Sequence, residues 1–299
     1  MTSILNDGTP SNSPAGEGLD RTGPPVLPIL AIETSTTVAR VAVVDAKTGE
    51  RLAAGEAASE RHSSNLLRLC IETTDRARVT IAGLGAIACG AGPGSFTGLR
   101  VGFAVAKGLA MPTEIPLVLV SSLEALAIDM RGGIGPAAGS AAASAAASAA
   151  GSAAGSAAAL AGALAVPTGW LLPCLDAGKG QVFAALFKAR EGGGVTLVSD
   201  EWAVLPGLLA GQLPDDELAV TCAGPGATRY WEILAEGLGR RGRLLEIDGP
   251  TAYAVATRAL VKLACGEIAD LDSAAPSYGR PPDITRPRHA VRAQPLGSE

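Results

Sequence analysis

Residues 90–110 read GAGPGSFTGLRVGFAVAKGLA, a glycine- and proline-rich loop followed by a long run of small and apolar residues. This order predicts a loop that leads into a helix from about Phe96 to Met111. Ser95 or Thr97 can cap the helix, because a hydroxyl oxygen accepts hydrogen bonds from the first N–H groups. Since a glycine-rich loop at a helix N-terminus often binds phosphate, a phosphate site is the first hypothesis.

The loop lacks the remaining parts of two phosphate-binding motifs. It does not end in the Gly-Lys-Ser/Thr of a Walker A loop, and the acidic residue and βαβ context of a dinucleotide site do not follow it. Gly92 and Gly94 allow backbone conformations that other residues avoid, and Pro93 stiffens the loop between them. The sequence therefore predicts a specific loop conformation but does not identify a ligand for it.

The stretch AIETST, residues 31–36, ends an apolar strand in a glutamate and hydroxyl residues. Such a strand end either approaches a nucleotide or metal, or uses its hydroxyl groups to satisfy the backbone of a turn. The sequence favours the turn. The candidates for nucleotide contact are Glu33, Thr34, Gly92, Gly94 and Ser95.

Small residues recur every fourth position along the predicted helix, at Gly94, Gly98, Gly102, Ala106 and Ala110. Residues four apart lie on one helix face, so they form a stripe almost without side chains. Glycine costs about 1 kcal/mol relative to alanine inside a helix. The stripe therefore predicts close packing against another element, either of this chain or of a partner protein.

Composition limits the function. The 299 residues are 47% hydrophobic and 18% charged, which suits two domains with buried cores. A net charge of −5 argues against a protein that grips nucleic acid with its own basic surface. Five cysteines without a CxxC pair and only two histidines disfavour a His/Cys metal site. No signal peptide or membrane-spanning run is visible, so we expect a cytoplasmic protein.

Composition shifts and strand–helix alternation divide the chain into segments. Residues 1–26 read as a disordered tail, 27–119 as an N-terminal α/β domain, and 120–275 as a C-terminal α/β domain. The C-terminal domain contains a low-complexity Ala/Ser/Gly insert at residues 137–165, and a Pro/Arg-rich tail spans residues 276–299. The second domain repeats the order of the first: hairpin, helix, strand, helix.

Three stretches of the second half need a structural assignment. DAGKG, residues 176–180, fits either a hairpin turn or a second phosphate loop, and the turn is favoured. AGPGATRYW, residues 223–231, fits a strand-to-helix connection better than an adenosine-side loop. EWAVLPGLLAGQL, residues 201–213, predicts a helix.

Six segments together resemble the bacterial TsaB (YeaZ) family: ILAIETST, RHSSNLL, GAGPGSFTGLRVGFAVAKGLA, VSSLEALA, LDAGKGQVFAALF and APSYGR. The resemblance covers roughly residues 27–130 and 170–285, and the GPGSFTGLR block is its most specific part. It implies the actin-like ATPase (ASKHA) fold, with two related α/β domains that have mixed sheets. It also implies a subunit of the machinery that makes tRNA N6-threonylcarbamoyladenosine (t6A37).

The resemblance implies partners as well. Family members dimerise with the catalytic paralogue TsaD, the ATPase TsaE joins them, and tRNA meets this chain only through the complex. ATP and metal are expected on the partner subunits and not on this chain alone, and a homodimer is possible when it is isolated. The partner surface of the family lies on two helices, here about residues 61–78 and 96–111. The interface candidates are Leu66, Leu67, Cys70, Gly98, Leu99, Gly102, Phe103 and Ala106.

TsaD carries a His-x-x-x-His metal pair, and its counterpart in this chain is VSSLEAL, residues 120–126. Ser122 and Leu126 occupy the two ligand positions, and leucine cannot bind a metal. The resemblance therefore implies a non-catalytic subunit, for which a transferase or peptidase label would be borrowed from the paralogue. The alternatives are a standalone ATPase or kinase-like protein, or a metallopeptidase of the same fold.

Overall fold

The computed structural model describes residues 27–58, 62–132, 168–191 and 194–279. The predictions for the N-terminal tail, for the Ala/Ser/Gly insert and for the chain beyond residue 279 lie outside these ranges. Within the described ranges, no helix has both the length and the apolar character that crossing a membrane requires.

The first sheet has five strands in the order β3-β2-β1-β4-β5. They are β1 (Ile29–Glu33), β2 (Val38–Val44), β3 (Arg51–Ala58), β4 (Ala86–Gly90) and β5 (Leu117–Val120). β1 pairs antiparallel with β2 and parallel with β4, and both central strands are fully buried. Burial on two faces explains why β1 and β4 read as continuous apolar runs rather than as alternating patterns.

The second sheet has seven strands, and its main path runs β10-β7-β6-β11-β12. The strands are β6 (Trp170–Gly178), β7 (Gln181–Ala184), β8 (Phe187–Ala189), β9 (Val195–Leu197), β10 (Trp202–Val204), β11 (Val220–Ala223) and β12 (Gly242–Leu245). β6 pairs antiparallel with β7 and parallel with β11, as β1 does with β2 and β4. Two units with the same strand order and directions confirm the predicted fold, two related α/β domains of the actin-like type.

Helices cover both sheets. They are α1 (His62–Arg76), α2 (Phe96–Ala110), α3 (Ser122–Met130), α4 (Pro225–Arg229), α5 (Trp231–Leu238) and α6 (Ala252–Ala264). α1 and α2 pack on one face of the first sheet, and α6 packs on its other face. α3 contributes its buried leucines and Met130 to the core of the second sheet.

The predicted helix at residues 201–213 is wrong. The segment forms β10 and two short 3₁₀ turns, Pro206–Leu208 and Ala210–Gln212. Pro206 has no N–H group to donate, and a proline disfavours helical backbone in the residue before it. Apolar spacing alone predicted the helix, and the proline overrides that spacing.

The last helix crosses between the two units. The sequence placed residues 120–275 in one domain, yet α6 packs on the first sheet. Its buried face consists of small residues, with Ala252, Ala254, Val255, Ala256 and Ala259 all buried. A helix with such a narrow face approaches β1 and β2 closely, so the first unit is completed by the chain's last helix.

Candidate functional site

The glycine stripe of α2 packs against the loop that follows β1 in the same chain. A side-chain carbon added at Gly98 would overlap the carbonyl oxygen of Thr34, and one added at Gly102 would overlap the hydroxyl oxygen of Thr34. Gly98, Gly102, Ala106 and Ala110 are all buried. The hypothesis that this stripe faces a partner protein is therefore wrong, because the strand end of its own unit already occupies that face.

The loop before α2 uses its polar backbone groups internally. The Ser95 N–H donates to the Ser35 carbonyl oxygen at 2.7 Å, and the Ser95 hydroxyl oxygen caps α2 by accepting from the Gly98 N–H at 3.2 Å. The Ala91 carbonyl oxygen accepts from the Ser277 N–H at 2.7 Å. Gly92 adopts φ +92°, a conformation that favours glycine. These bonds fix the loop to its own chain.

Glu33, at the end of β1, is completely buried. One carboxylate oxygen accepts from the Ser35 N–H at 2.6 Å, and the other accepts from the Ser122 hydroxyl at 2.9 Å. Burial raises the pKa of Glu33, although these two hydrogen bonds and Arg40 act in the opposite direction. Both oxygens are thus held by the chain itself, which suits an internal acceptor better than a metal ligand.

The two positions that correspond to metal ligands in TsaD lie in the interior. Ser122 donates to Glu33, and Leu126 packs in the core with Leu171 and Leu175. Among the described residues, no cluster of three or more His, Cys, Asp or Glu side chains is arranged to hold a metal ion. A hydroxyl that already donates to Glu33 and a leucine side chain do not form a pair of metal ligands.

A cleft of about 270 Å³ lies between the two units. Its lining is mostly hydroxyl, carboxylate and backbone groups: Ser35, Thr36, Thr37, Ser95, Leu175, Asp176, Gly178, Pro225 and Asp248. Of the five candidates for nucleotide contact, Ser95 lines this cleft, whereas Glu33 is enclosed beneath it. The cleft is where a nucleotide would be sought in this fold.

Two carboxylates of the second unit line the cleft, and each of them is paired with an arginine. Asp176 accepts from Arg229 at 2.6 Å and from the Gly178 N–H at 2.8 Å, which holds DAGKG as the predicted hairpin turn between β6 and β7. Asp248 pairs with the buried Arg40 at 2.8 Å. Both carboxylates are thus paired with arginines, and the described lining of the cleft contains no lysine or arginine that could bind a phosphate.

Seven of the eight interface candidates are buried within the chain, and Leu67 alone is exposed, at 44%. Leu66 and Cys70 face the first sheet from α1, while Phe103 and Ala106 face it from α2, and Leu99 is completely buried. These seven residues are turned into the chain's own core, so the prediction that they contact a partner is wrong for them. Which helices meet a partner stays a prediction.

The outer faces of α1 and α2 carry a different apolar set. On α1, Leu67 and Ile71 are each 44% exposed, and Met111 just after α2 is 58% exposed. On α2, Ala104 and Gly108 are exposed, and a side-chain carbon at Gly108 would meet no atom within 4 Å. We refer to Leu67, Ile71, Ala104, Gly108 and Met111 as the outer face. Leu67 and Ile71 are four residues apart in the sequence, as are Ala104 and Gly108. Because the inner face shows the same spacing, the spacing alone does not tell which face is exposed.

The contact between the two units includes a buried carboxylate. Asp129, near the end of α3, accepts from the N–H and the hydroxyl of Thr251 at 2.7 and 2.8 Å. Thr251 also caps α6 by accepting from the Ala254 N–H. Burial raises the pKa of Asp129 to about 7, against the hydrogen bonds from Thr251. No local sequence pattern predicts this contact, because its two partners lie 122 positions apart.

A family model described as TsaD, tRNA N6-adenosine threonylcarbamoyltransferase, matches residues 54–145. Over 101 residues the chain is 37% identical to the tRNA threonylcarbamoyladenosine biosynthesis protein TsaB of Haemophilus influenzae, covering 34% of this chain and 42% of that protein. The match to the same protein of Escherichia coli is 35% over 99 residues, or 33% and 42% of the two chains.

The YeaZ structure from Pseudomonas aeruginosa superimposes with a TM-score of 0.64 and 25% identity, over 84% of this chain and 99% of that one. The chain is thus similar to the TsaB (YeaZ) family, in sequence over about a third of its length and in fold over 84% of it.

The similarity to TsaB proteins differs in extent between sequence and structure. The sequence alignments span less than half the length of the two TsaB relatives, whereas the structural likeness extends over nearly all of the YeaZ chain. The family model described as TsaD matches residues 54–145, so the similarity to that transferase concerns only this part of the chain. Fold likeness does not transfer a reaction when the reacting groups differ.

Proposed function

We propose that this chain is a non-catalytic subunit of the t6A37 machinery, and that it binds and activates TsaD through its outer face. The observation that supports this proposal is the exposure of the apolar outer face. Apolar patches of this kind mark protein–protein contacts in soluble proteins. The small residues Ala104 and Gly108 let a partner helix approach α2 closely, because interaxial distance depends on the side chains at the contact. When TsaD is absent, the same face would pair two copies of the chain.

The proposed lack of catalysis rests on Ser122 and Leu126. Both are buried, and Ser122 already donates to Glu33. In this proposal ATP and metal belong to partner subunits, including TsaD and the ATPase TsaE, and tRNA is held through the complex in the cytoplasm. The acidic net charge of −5 is consistent with that division of work.

The competing hypothesis is a standalone ATPase or kinase-like enzyme that uses the cleft. The cleft lining argues against it, because it contains no lysine or arginine for a phosphate, and Asp176 and Asp248 already pair with Arg229 and Arg40. Calorimetry of the isolated chain with ATP and magnesium separates the two hypotheses. Micromolar binding accompanied by turnover would exclude the non-catalytic proposal.

Substitutions on the outer face test the TsaD proposal. We expect Leu67→Glu combined with Ile71→Glu to weaken co-purification with TsaD at least about tenfold, because a charge would be buried at the contact. Far-UV circular dichroism and the melting temperature should stay close to wild type, since both side chains are exposed. Cells that carry only this variant should lose t6A from their tRNA.

Ile233→Glu provides the matched control, because Ile233 is 46% exposed and lies on α5 of the second unit. This variant should bind TsaD as well as wild type does. If the Leu67→Glu, Ile71→Glu variant is folded and still binds TsaD at wild-type strength, the outer face is not the interface.

A further inference from the structure

A second cavity, of about 420 Å³, lies apart from the cleft and from the outer face. Its walls come from the start of α3, from β8 and β9, from the segment before β10 and from α6. Four charged side chains line it: Glu124, Arg190, Glu201 and Arg258. Its volume falls in the range of small-molecule sites. No part of the proposed TsaD contact uses this cavity.

Two of the four charges neutralise each other. Arg258 pairs with Glu124, and the Nε–Oε1 distance is 2.8 Å. The other two charges bond only to neutral groups: Glu201 accepts from the Ser121 hydroxyl at 2.6 Å, and the Arg190 guanidinium donates to the Thr196 hydroxyl. The cavity therefore contains one positive and one negative group that do not pair with each other.

Within the part of the chain that the structure describes, neither Arg190 nor Glu201 has an oppositely charged side chain within 4.0 Å. Burial raises the pKa of Glu201, and the neighbouring Glu124 adds to the shift. A cation beside Glu201 would relieve this unfavourable burial of a carboxylate.

We propose that this cavity binds a small zwitterion of the free α-amino acid class, with its ammonium at Glu201 and its carboxylate at Arg190. The four lining charges sum to zero, so a ligand with no net charge leaves none unmatched. A phosphate or a polyamine would match one free charge and leave the other without a partner. Phe187, Val195 and Leu197 line the same cavity and give an apolar wall for the ligand's side chain.

Isothermal titration of the full chain with L-leucine tests the proposal, with L-serine, L-glutamine and L-aspartate as further zwitterions. Leucinamide lacks the carboxylate and N-acetyl-leucine lacks the ammonium, so each should bind at least about tenfold more weakly than leucine. Glu201→Gln keeps the acceptor for Ser121 and removes the charge, and Arg190→Gln removes the other charge. Each variant should weaken binding of the zwitterion by a similar factor.

Glu232→Gln is the matched control, because Glu232 is exposed on α5 and does not line the cavity. It should bind like wild type. The proposal is wrong if none of the four amino acids binds below about 10 mM, or if binding is unchanged in Glu201→Gln. Binding of N-acetyl-leucine as strong as that of leucine would indicate a simple anion site and would equally overturn it. None of these results bears on TsaD binding.

Discussion

The two halves of the molecule use the same four residues, Ala-Gly-Pro-Gly, at the same place. Residues 91–94 follow β4 and lead to α2, and residues 223–226 begin at the last residue of β11 and extend into α4. In the first half, Gly94 packs on Ser35 of the loop after β1, and in the second half Gly226 packs on Leu175 of β6. β1 and β6 occupy the same position in their sheets. The comparison teaches that these glycines set a helix close to the first strand of its own half.

The halves differ in what the helix does next. α2 continues for 15 residues beside α1 and presents an outer face, whereas α4 ends after 5 residues and gives way to α5. The inner face of α2 thus belongs to the close helix–strand packing that both halves share. Its outer face is the part that the second half does not repeat, which is why we assign partner binding there.

Gly102→Leu should have the largest effect, because it fills the inner face of α2. A side chain at this position overlaps Thr34, whose backbone and hydroxyl groups are buried. We expect a loss of at least about 3 kcal/mol in the free energy of unfolding, or no folded protein. Urea denaturation followed by circular dichroism measures it.

Gly108→Leu on the same helix is the control for the outer face. Nothing lies within 4 Å of a side-chain carbon there, so the variant should be as stable as wild type or up to about 0.8 kcal/mol more stable. A folded Gly102→Leu protein of normal stability would contradict the assignment of the two faces.

Gly226→Ala tests whether the second half depends on the same close packing. The added methyl group would lie about 2.8 Å from the backbone of Leu175, so β6 or α4 must shift. We expect a loss of about 1–3 kcal/mol in the free energy of unfolding. Gly211→Ala, which meets no atom within 4 Å, should change it by less than about 0.5 kcal/mol. Equal stability of the two variants would show that the halves are not packed alike.

Local signals were sufficient for most of the fold. The buried apolar strands, the hairpin turn at DAGKG and the Ser95 cap of α2 depend on neighbours in sequence, and their interpretation agrees with the structure. The Ala-Gly-Pro-Gly repeat also marks equivalent positions in the two halves. The helix predicted at residues 201–213 is wrong, because the prediction followed the apolar spacing and gave too little weight to Pro206.

The site was harder to predict because it depends on contacts between distant segments. The spacing of α2 shows that small residues share a face, but it does not show whether that face meets β1 or a partner. Thr34 decides the question, and its contact with Gly98 exists only after folding. In the same way, Glu201 and Arg190 look like ordinary surface charges until β8, β10 and α3 bring them to one cavity.

The last expected effect concerns how the halves are joined. α3 packs on the second sheet and α6 on the first, and Asp129 on α3 accepts both hydrogen bonds from Thr251 at the start of α6. The pKa of Asp129 is about 7 in the folded chain against an ordinary value of 3.8. Between these values the folded state binds more protons than the unfolded state, so stability falls as pH rises and this contribution is lost above about pH 7.

Urea unfolding between about pH 5 and pH 8 should therefore show a declining free energy, by at most about 1.4 kcal/mol per pH unit from this group. Asp129→Asn retains an acceptor for Thr251 and cannot ionise, so its decline should be shallower, with a remainder from Glu33, whose pKa is also raised. Asp215→Asn, at an exposed position, should leave the decline unchanged. Equal slopes for wild type and Asp129→Asn would mean that this carboxyl group stays ionised between the halves. In that case the junction would hold a buried negative charge, with Arg40 as the positive group that acts on it.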